Sequence, residues 1–157
     1  MKRIARITLV VVLMIGGLVR ITWCQEDPEK HWEELNTQVV TAYQKGNYKE
    51  GIALAEQARL YAEKHFRTEH SNIQISINNL AMLYSSKGRY SEAEPLYKEA
   101  LHLKEKTLGK KHPSTLLAIN NLAGLYESQG RYSEAEPLYK ECLQRSENVL
   151  GRDHPDT

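Results

Sequence analysis

The chain has 157 residues, of which 26% are charged and 41% are apolar, proportions that are ordinary for a helical globular protein. Its net charge is +1, but the first 24 residues hold four of the 21 basic residues and no acidic one, so the remainder carries 17 basic and 20 acidic residues. A mildly acidic body without a basic stripe argues against nucleic acid as a partner.

The chain begins with the pattern of a targeting segment. Three basic residues among the first six precede an apolar run of 13 residues at 7–19. This is the layout of a secretory signal peptide, and the run is short for a membrane span. We therefore predict a signal segment at 1–24, cleaved after Cys24, and export to the periplasm or the outside of the cell. An N-terminal membrane anchor and a lipoprotein acylated at Cys24 are the alternatives.

After a short polar linker at 25–31, the sequence repeats with a period of 42 residues. Residues 77–101 return at 119–143 with 21 of 25 positions identical and no gap. A fixed period between 20 and 50 residues is typical of a repeat architecture. We expect three units, at about 32–73, 74–115 and 116–157. The first is degenerate, as terminal repeats usually are.

Each unit contains two stretches with helical spacing of apolar and small residues. In the second unit these residues are Ile77, Leu80, Ala81 and Tyr84, then Ala93, Tyr97 and Ala100. The pattern predicts six helices, near 30–45, 48–66, 71–87, 90–108, 113–129 and 132–150.

The boundaries of these helices have recognisable chemistry. A glycine at 46, 88 and 130 is expected to end the first helix of each pair in the left-handed conformation. Ser91 with Glu94, and Ser133 with Glu136, fit the Ser-x-x-Glu capping box of the second helix. Trp32 is expected to cover the exposed end of the first repeat, together with Leu35.

The repeated residues carry a family resemblance. Ile77, Leu80, Ala81, Tyr84, Gly88, Tyr90, Ala93, Tyr97 and Ala100 resemble the tetratricopeptide repeat pattern. The 42-residue period and the linker at 108–113, which recurs at 150–155, resemble the kinesin-light-chain type of this repeat. The resemblance implies an all-α solenoid of antiparallel helix pairs, wound as a right-handed superhelix, that binds other proteins.

In stacks of this type the first helices line a concave groove, so their faces opposite the packing residues form the candidate partner-binding site. The candidate residues are Asn36, Val40 and Tyr43 in the first repeat, Asn78, Met82 and Ser85 in the second, and Asn120, Gly124 and Glu127 in the third. Two of the four differences between the strong copies fall on this face. The sequence therefore indicates a constant scaffold with a variable groove.

Asparagine recurs on this face at positions 36, 78 and 120, and we call these three residues the asparagine ladder. An asparagine amide both donates and accepts hydrogen bonds, so the ladder could pair with the backbone of an extended peptide. The resemblance implies the same role, since such asparagines commonly bind peptide backbone in repeats of this type. The alternative is that these side chains brace the neighbouring helix.

No pattern in the chain indicates an enzyme or a cofactor. There is no nucleophile elbow, phosphate loop or paired-cysteine metal motif. His70, His112 and His154 share the 42-residue period, but equivalent points on stacked helices are too far apart to share one metal ion. Linker geometry is the better interpretation. Cys142 replaces the small residue Ala100 and is expected to be buried.

The sequence thus predicts an exported scaffold that holds a peptide or partner protein and needs no metal or small-molecule cofactor. One alternative is a structural module that stacks end to end with further repeats or self-associates through an uncapped last repeat. Another is a regulatory arm of a longer protein.

Overall fold

The computed structural model describes the backbone of residues 27–150 and the side chains of residues 27–147. Within this range the chain forms six α-helices and no strand. The helices are α1 (Pro28–Gln44), α2 (Tyr48–His65), α3 (Ser71–Ser86), α4 (Tyr90–Leu108), α5 (Pro113–Ser128) and α6 (Tyr132–Leu150). Each predicted helix is confirmed to within two residues at both ends. Among these six helices, none is long and apolar enough to cross a membrane. The predicted signal segment at 1–24 lies outside the described residues.

Consecutive helices pack against each other along the chain, and α1 also contacts α3. The odd-numbered helices are therefore the first members of three pairs, as the period predicts. The contacts join each element to its neighbours, which is the connectivity of a solenoid.

The glycine prediction for the turns is confirmed. Gly46, Gly88 and Gly130 have φ angles of 73°, 73° and 71°, in the left-handed region that favours glycine. Beyond Gly88 the Arg89 N–H donates to the Tyr84 carbonyl at 2.8 Å, which closes the end of α3. The second helix of each pair can thus begin two residues after the glycine.

His70 and His112, two of the periodic histidines, cap the N-termini of α3 and α5. Nδ1 of His70 accepts from the Asn72 N–H at 3.3 Å, and Nδ1 of His112 accepts from the Ser114 N–H at 3.1 Å. Both cap residues have extended backbone immediately before α3 and α5. A cap of this kind satisfies one of the amides that the first helical turn leaves without an intrahelical partner. His154 lies outside the described residues.

The capping-box prediction for α4 is wrong. The N-cap residue is Arg89, its side chain makes no cap hydrogen bond, and Ser91 lies inside the helix. The Ser91 hydroxyl donates to Glu92 instead. The Glu94 carboxylate instead accepts a hydrogen bond from the guanidinium of Arg131 in the next repeat, at 2.7 Å. In the third repeat α6 also begins before Ser133, at Tyr132.

The core runs between the pairs, and Trp32 belongs to it. Trp32 is 5% exposed and packs in a cluster with Ala62, Ile73, Ile77, Ala100 and Leu103. Its Nε1–H donates to the Ser76 hydroxyl on α3 at 2.9 Å. The prediction that Trp32 covers the exposed end of the array is therefore wrong, because its ring faces the second repeat.

The outward side of α1 is polar. Gln38 and Thr41 are exposed at the positions where α3 has Leu80 and Leu83, both of which are buried. In α5 the same two positions are again buried leucines. The side of the first repeat that faces away from the second is therefore polar, as it is in a capping repeat.

Candidate functional site

The asparagine ladder is tied to a second row of asparagines on the neighbouring helix. Nδ2 of Asn79 on α3 donates to Oδ1 of Asn36 on α1 at 2.8 Å. Nδ2 of Asn121 on α5 donates to Oδ1 of Asn78 on α3 at 3.0 Å. We call Asn79 and Asn121 the brace. Each brace bond joins residues 43 apart, so it fixes the register of successive first helices.

The ladder keeps donor capacity after the brace is made. Asn36 and Asn78 use only their carbonyl oxygens in it, and their amide groups make no hydrogen bond within the described part of the chain. Asn120 is exposed and makes no side-chain hydrogen bond to any described residue. Both interpretations of the ladder are therefore physically compatible, since a braced carbonyl holds the amide in a fixed direction.

The other predicted groove residues differ in exposure. Val40 is 38% exposed and Glu127 is exposed, whereas Ser85 and Gly124 are intermediate. Tyr43 and Met82 are partly buried and pack against the main core, so they also contribute to stability. The Tyr139 hydroxyl donates to Glu127 at 2.7 Å, and this bond raises the pKa of Tyr139 above its ordinary value.

Two exposed aliphatic residues on this face were not predicted. Ile75 is 38% exposed and Leu117 is 60% exposed. They lie 42 residues apart, each three residues before a member of the asparagine ladder, and therefore on the same helix face as the ladder. The signal was present in the sequence, but an apolar residue on an amphipathic helix is normally assigned to the core. We call Ile75 and Leu117 the aliphatic pair.

A polar cluster fixes the joint between the second and third repeats. Arg131 lies over the Tyr126 ring, with its guanidinium carbon 4.3 Å from the ring centroid, and donates to Glu94. The Tyr126 hydroxyl also donates to Glu94, at 3.1 Å. These donors, with Lys98 on the same helix, hold the pKa of the Glu94 carboxyl at about 2. The cluster ties the third repeat to α4, because Arg131 and Tyr126 both donate to Glu94.

The cavities described beside the helices are not lined by the asparagine ladder. A shallow cavity of about 200 Å³ lies at the first repeat between α1 and α2, lined by residues that include Thr41, Lys45 and Leu54. No member of the asparagine ladder lines it. Small-molecule sites are usually concave and enclosed, so the ladder is better suited to a long segment that spans several repeats.

The described residues contain no cluster of side chains typical of a metal site. No group of three histidine, cysteine, aspartate or glutamate side chains there could hold a metal ion. Cys142 is 9% exposed, and burial raises the pKa of its thiol. The burial of Cys142 agrees with the prediction that it is a small packing residue.

Comparison with protein families identifies the repeats. The tetratricopeptide repeat model matches three overlapping stretches, at 35–106, 73–148 and 114–157. The chain belongs to the tetratricopeptide repeat family. Tetratricopeptide repeats generally mediate protein–protein interaction, and their fold is of a non-catalytic scaffold type. No curated protein matches the chain.

The similar solved structures are kinesin-light-chain-like tetratricopeptide repeat proteins. One is a putative kinesin light chain from Podospora anserina with nearly identical repeats, which is 28% identical with a TM-score of 0.73. The match covers 84% of this chain and 62% of that one. Another is BtubC (BKLC) from P. vanneervenii, with 21% identity and a TM-score of 0.76, over 83% of this chain and 52% of that one. The second similarity concerns the fold alone.

Proposed function

We propose that this tetratricopeptide repeat protein is a scaffold that holds an extended peptide segment of a partner protein along the exposed face of α1, α3 and α5. The observation that carries the proposal is the asparagine ladder, in which two amides are oriented by the brace and a third, Asn120, is exposed. Equivalent amides on successive helices offer a repeated set of hydrogen-bonding groups to one partner.

The spacing of the ladder suits a peptide backbone. Packed helices lie about 8–10 Å apart, and an extended chain advances about 3.3 Å per residue. One step of the ladder therefore corresponds to about three peptide residues. Pairing with backbone groups does not depend on the peptide sequence, so side-chain preference would come from the neighbouring positions of the groove.

Asn120→Ala tests the ladder most directly, because Asn120 takes no part in the brace. We expect the variant to melt at the parent's temperature and to bind display-selected peptides about 3- to 10-fold more weakly, since a net hydrogen bond contributes about 0.5–1.5 kcal/mol. The measurement is peptide-display selection on the full chain, followed by fluorescence anisotropy with the enriched peptides. Circular dichroism melts establish that each variant is folded.

The matched control is Asn79→Ala with Asn121→Ala, which removes the brace and leaves the ladder side chains in place. This variant is expected to lose stability as well as affinity. If Asn120→Ala binds the enriched peptides as tightly as the parent, the ladder is a brace only and the proposed site is wrong. The same conclusion follows if a folded parent enriches no peptide.

Export from the cytoplasm, with a periplasmic or secreted scaffold, is part of the proposal. It rests on the basic and apolar pattern of residues 1–24, which lie outside the described residues. The predicted boundary at residue 24 and the alternative of a membrane anchor rest on the same sequence pattern.

A second candidate function, end-to-end stacking, is supported by the exposed flank of α6. Tyr139 is 38% exposed, whereas its equivalent Tyr97 is 6% exposed beneath the next repeat. Leu143 on the same helix is 46% exposed. The polar outward side of α1 is poorly suited to cover this flank in a second copy, so a partner repeat with leucines at those two positions is the better match.

Sedimentation of the full chain over a range of concentrations tests whether a second copy of this chain can serve as the stacking partner. Self-stacking predicts a mass that rises with concentration and returns to that of the monomer in Tyr139→Glu. A monomer at every concentration would exclude association between copies of this chain.

A further inference from the structure

The aliphatic pair extends the ladder face by one helical turn. Leu117 and Ile75 occupy equivalent positions on neighbouring first helices, and the bond from Asn121 to Asn78 holds those helices in register. Val40, on the same face of α1, is 38% exposed as well. The asparagine ladder therefore lies beside aliphatic side chains that are exposed to solvent. A partner side chain that covered these residues would remove their apolar surface from water, which is favourable.

The charge of this face is acidic. Five positions on each first helix define this face: the ladder residue, the brace position that follows it, the aliphatic-pair position and the two further groove positions, which on α1 are 40 and 43. The three helices together give 15 positions. The charged residues among them are Glu33 and Glu127, and none is lysine or arginine. Lys30 lies one turn before Glu33 and lines a cavity with it. Glu127 is exposed, and its bond is with the neutral Tyr139 hydroxyl.

We propose that the ladder face selects peptides with aliphatic side chains and a lysine or arginine that reaches Glu127, and that it rejects acidic peptides. This inference rests on the proposed function and names the chemistry of its ligand. The aliphatic residues would contact Ile75 and Leu117 while the peptide backbone pairs with the ladder. The cation would lie over α5, where it would face a carboxylate without a basic partner among the described residues.

The test is a display library of random 12-residue peptides selected on three forms of the full chain: the parent, Glu127→Lys and Leu117→Ser. The parent is expected to enrich peptides with an excess of lysine and arginine over acidic residues and with at least two aliphatic residues. Glu127→Lys should reverse the charge preference. Leu117→Ser should weaken binding of the parent's peptides about 5- to 20-fold.

Glu34→Lys is the matched control, because it makes the same charge change on α1 outside the counted positions and at an exposed residue. It should leave the charge preference unchanged. An acid-rich pool from the parent, or an unchanged preference in Glu127→Lys, would overturn the inferred chemistry. In that case, weaker binding by Asn120→Ala would still support the peptide groove, whereas no enrichment from a folded parent would remove both proposals.

Discussion

Leu122→Asp is expected to abolish cooperative folding of the array. Leu122 is 4% exposed on α5 and belongs to the main core, which continues from the first repeat to the third. An aspartate there loses the leucine contacts and buries a carboxylate with no partner. Such changes cost more than about 4 kcal/mol, a large share of the 5–15 kcal/mol that stabilises a typical domain. Urea denaturation followed by circular dichroism provides the measurement.

The same substitution at Leu117 is the matched control. Leu117 lies on the same helix, but its side chain is 60% exposed. Leu117→Asp should change the free energy of unfolding by no more than about 0.5 kcal/mol, as most surface substitutions do. A cooperative transition for Leu122→Asp at the parent's urea midpoint would show that the assigned interface between the repeats is wrong.

Trp32→Ala is expected to destabilise the chain by about 3–5 kcal/mol, the usual cost of emptying a buried tryptophan site. The indole ring fills the junction of α1, α2, α3 and α4, and its N–H is bound to the Ser76 hydroxyl. The loss should detach the first repeat from the second. Denaturation should be followed by far-ultraviolet circular dichroism, since the substitution also removes a fluorophore.

Trp32→Phe separates the two contributions of the indole. Phenylalanine keeps the six-membered ring and loses the pyrrole ring with its N–H. The cost should therefore lie below that of Trp32→Ala, with about 1 kcal/mol from the hydrogen bond to Ser76 and the rest from the space left by the smaller ring. A cost below about 0.5 kcal/mol for Trp32→Ala would instead place the ring at the exposed end of the array, as the sequence had indicated.

The fold could be predicted because its determinants are local and repeated. Glycine at 46, 88 and 130 marks the turns directly, since only a residue that tolerates a positive φ ends a helix in this way. The apolar spacing between those glycines gave the helix bounds. The partners across the joints could not be predicted, because pairs such as Asn79 with Asn36 are defined by tertiary register rather than by spacing within a helix.

Two of the failed predictions share one cause. Ser91 and Glu94 fit a local capping motif, but Arg131 in the next repeat binds Glu94. Trp32 looked like an end cover because the first repeat begins near it, yet its ring turns toward Ser76. The exposed side of Leu117 was missed because apolar spacing alone does not distinguish a core position from a groove position. In the first two cases a contact between repeats overrode the local pattern.

The joints between repeats also bear on how such a gene can change. Brace bonds join residues 43 apart in a chain with a period of 42. An in-frame loss of 42 codons would therefore place Asn121 opposite Asn36 in the position that Asn79 now occupies. The Tyr126 hydroxyl would likewise meet Glu56, the present partner of Tyr84. Recombination between the two nearly identical copies could thus lengthen or shorten the array by whole repeats while preserving the joints that hold it together.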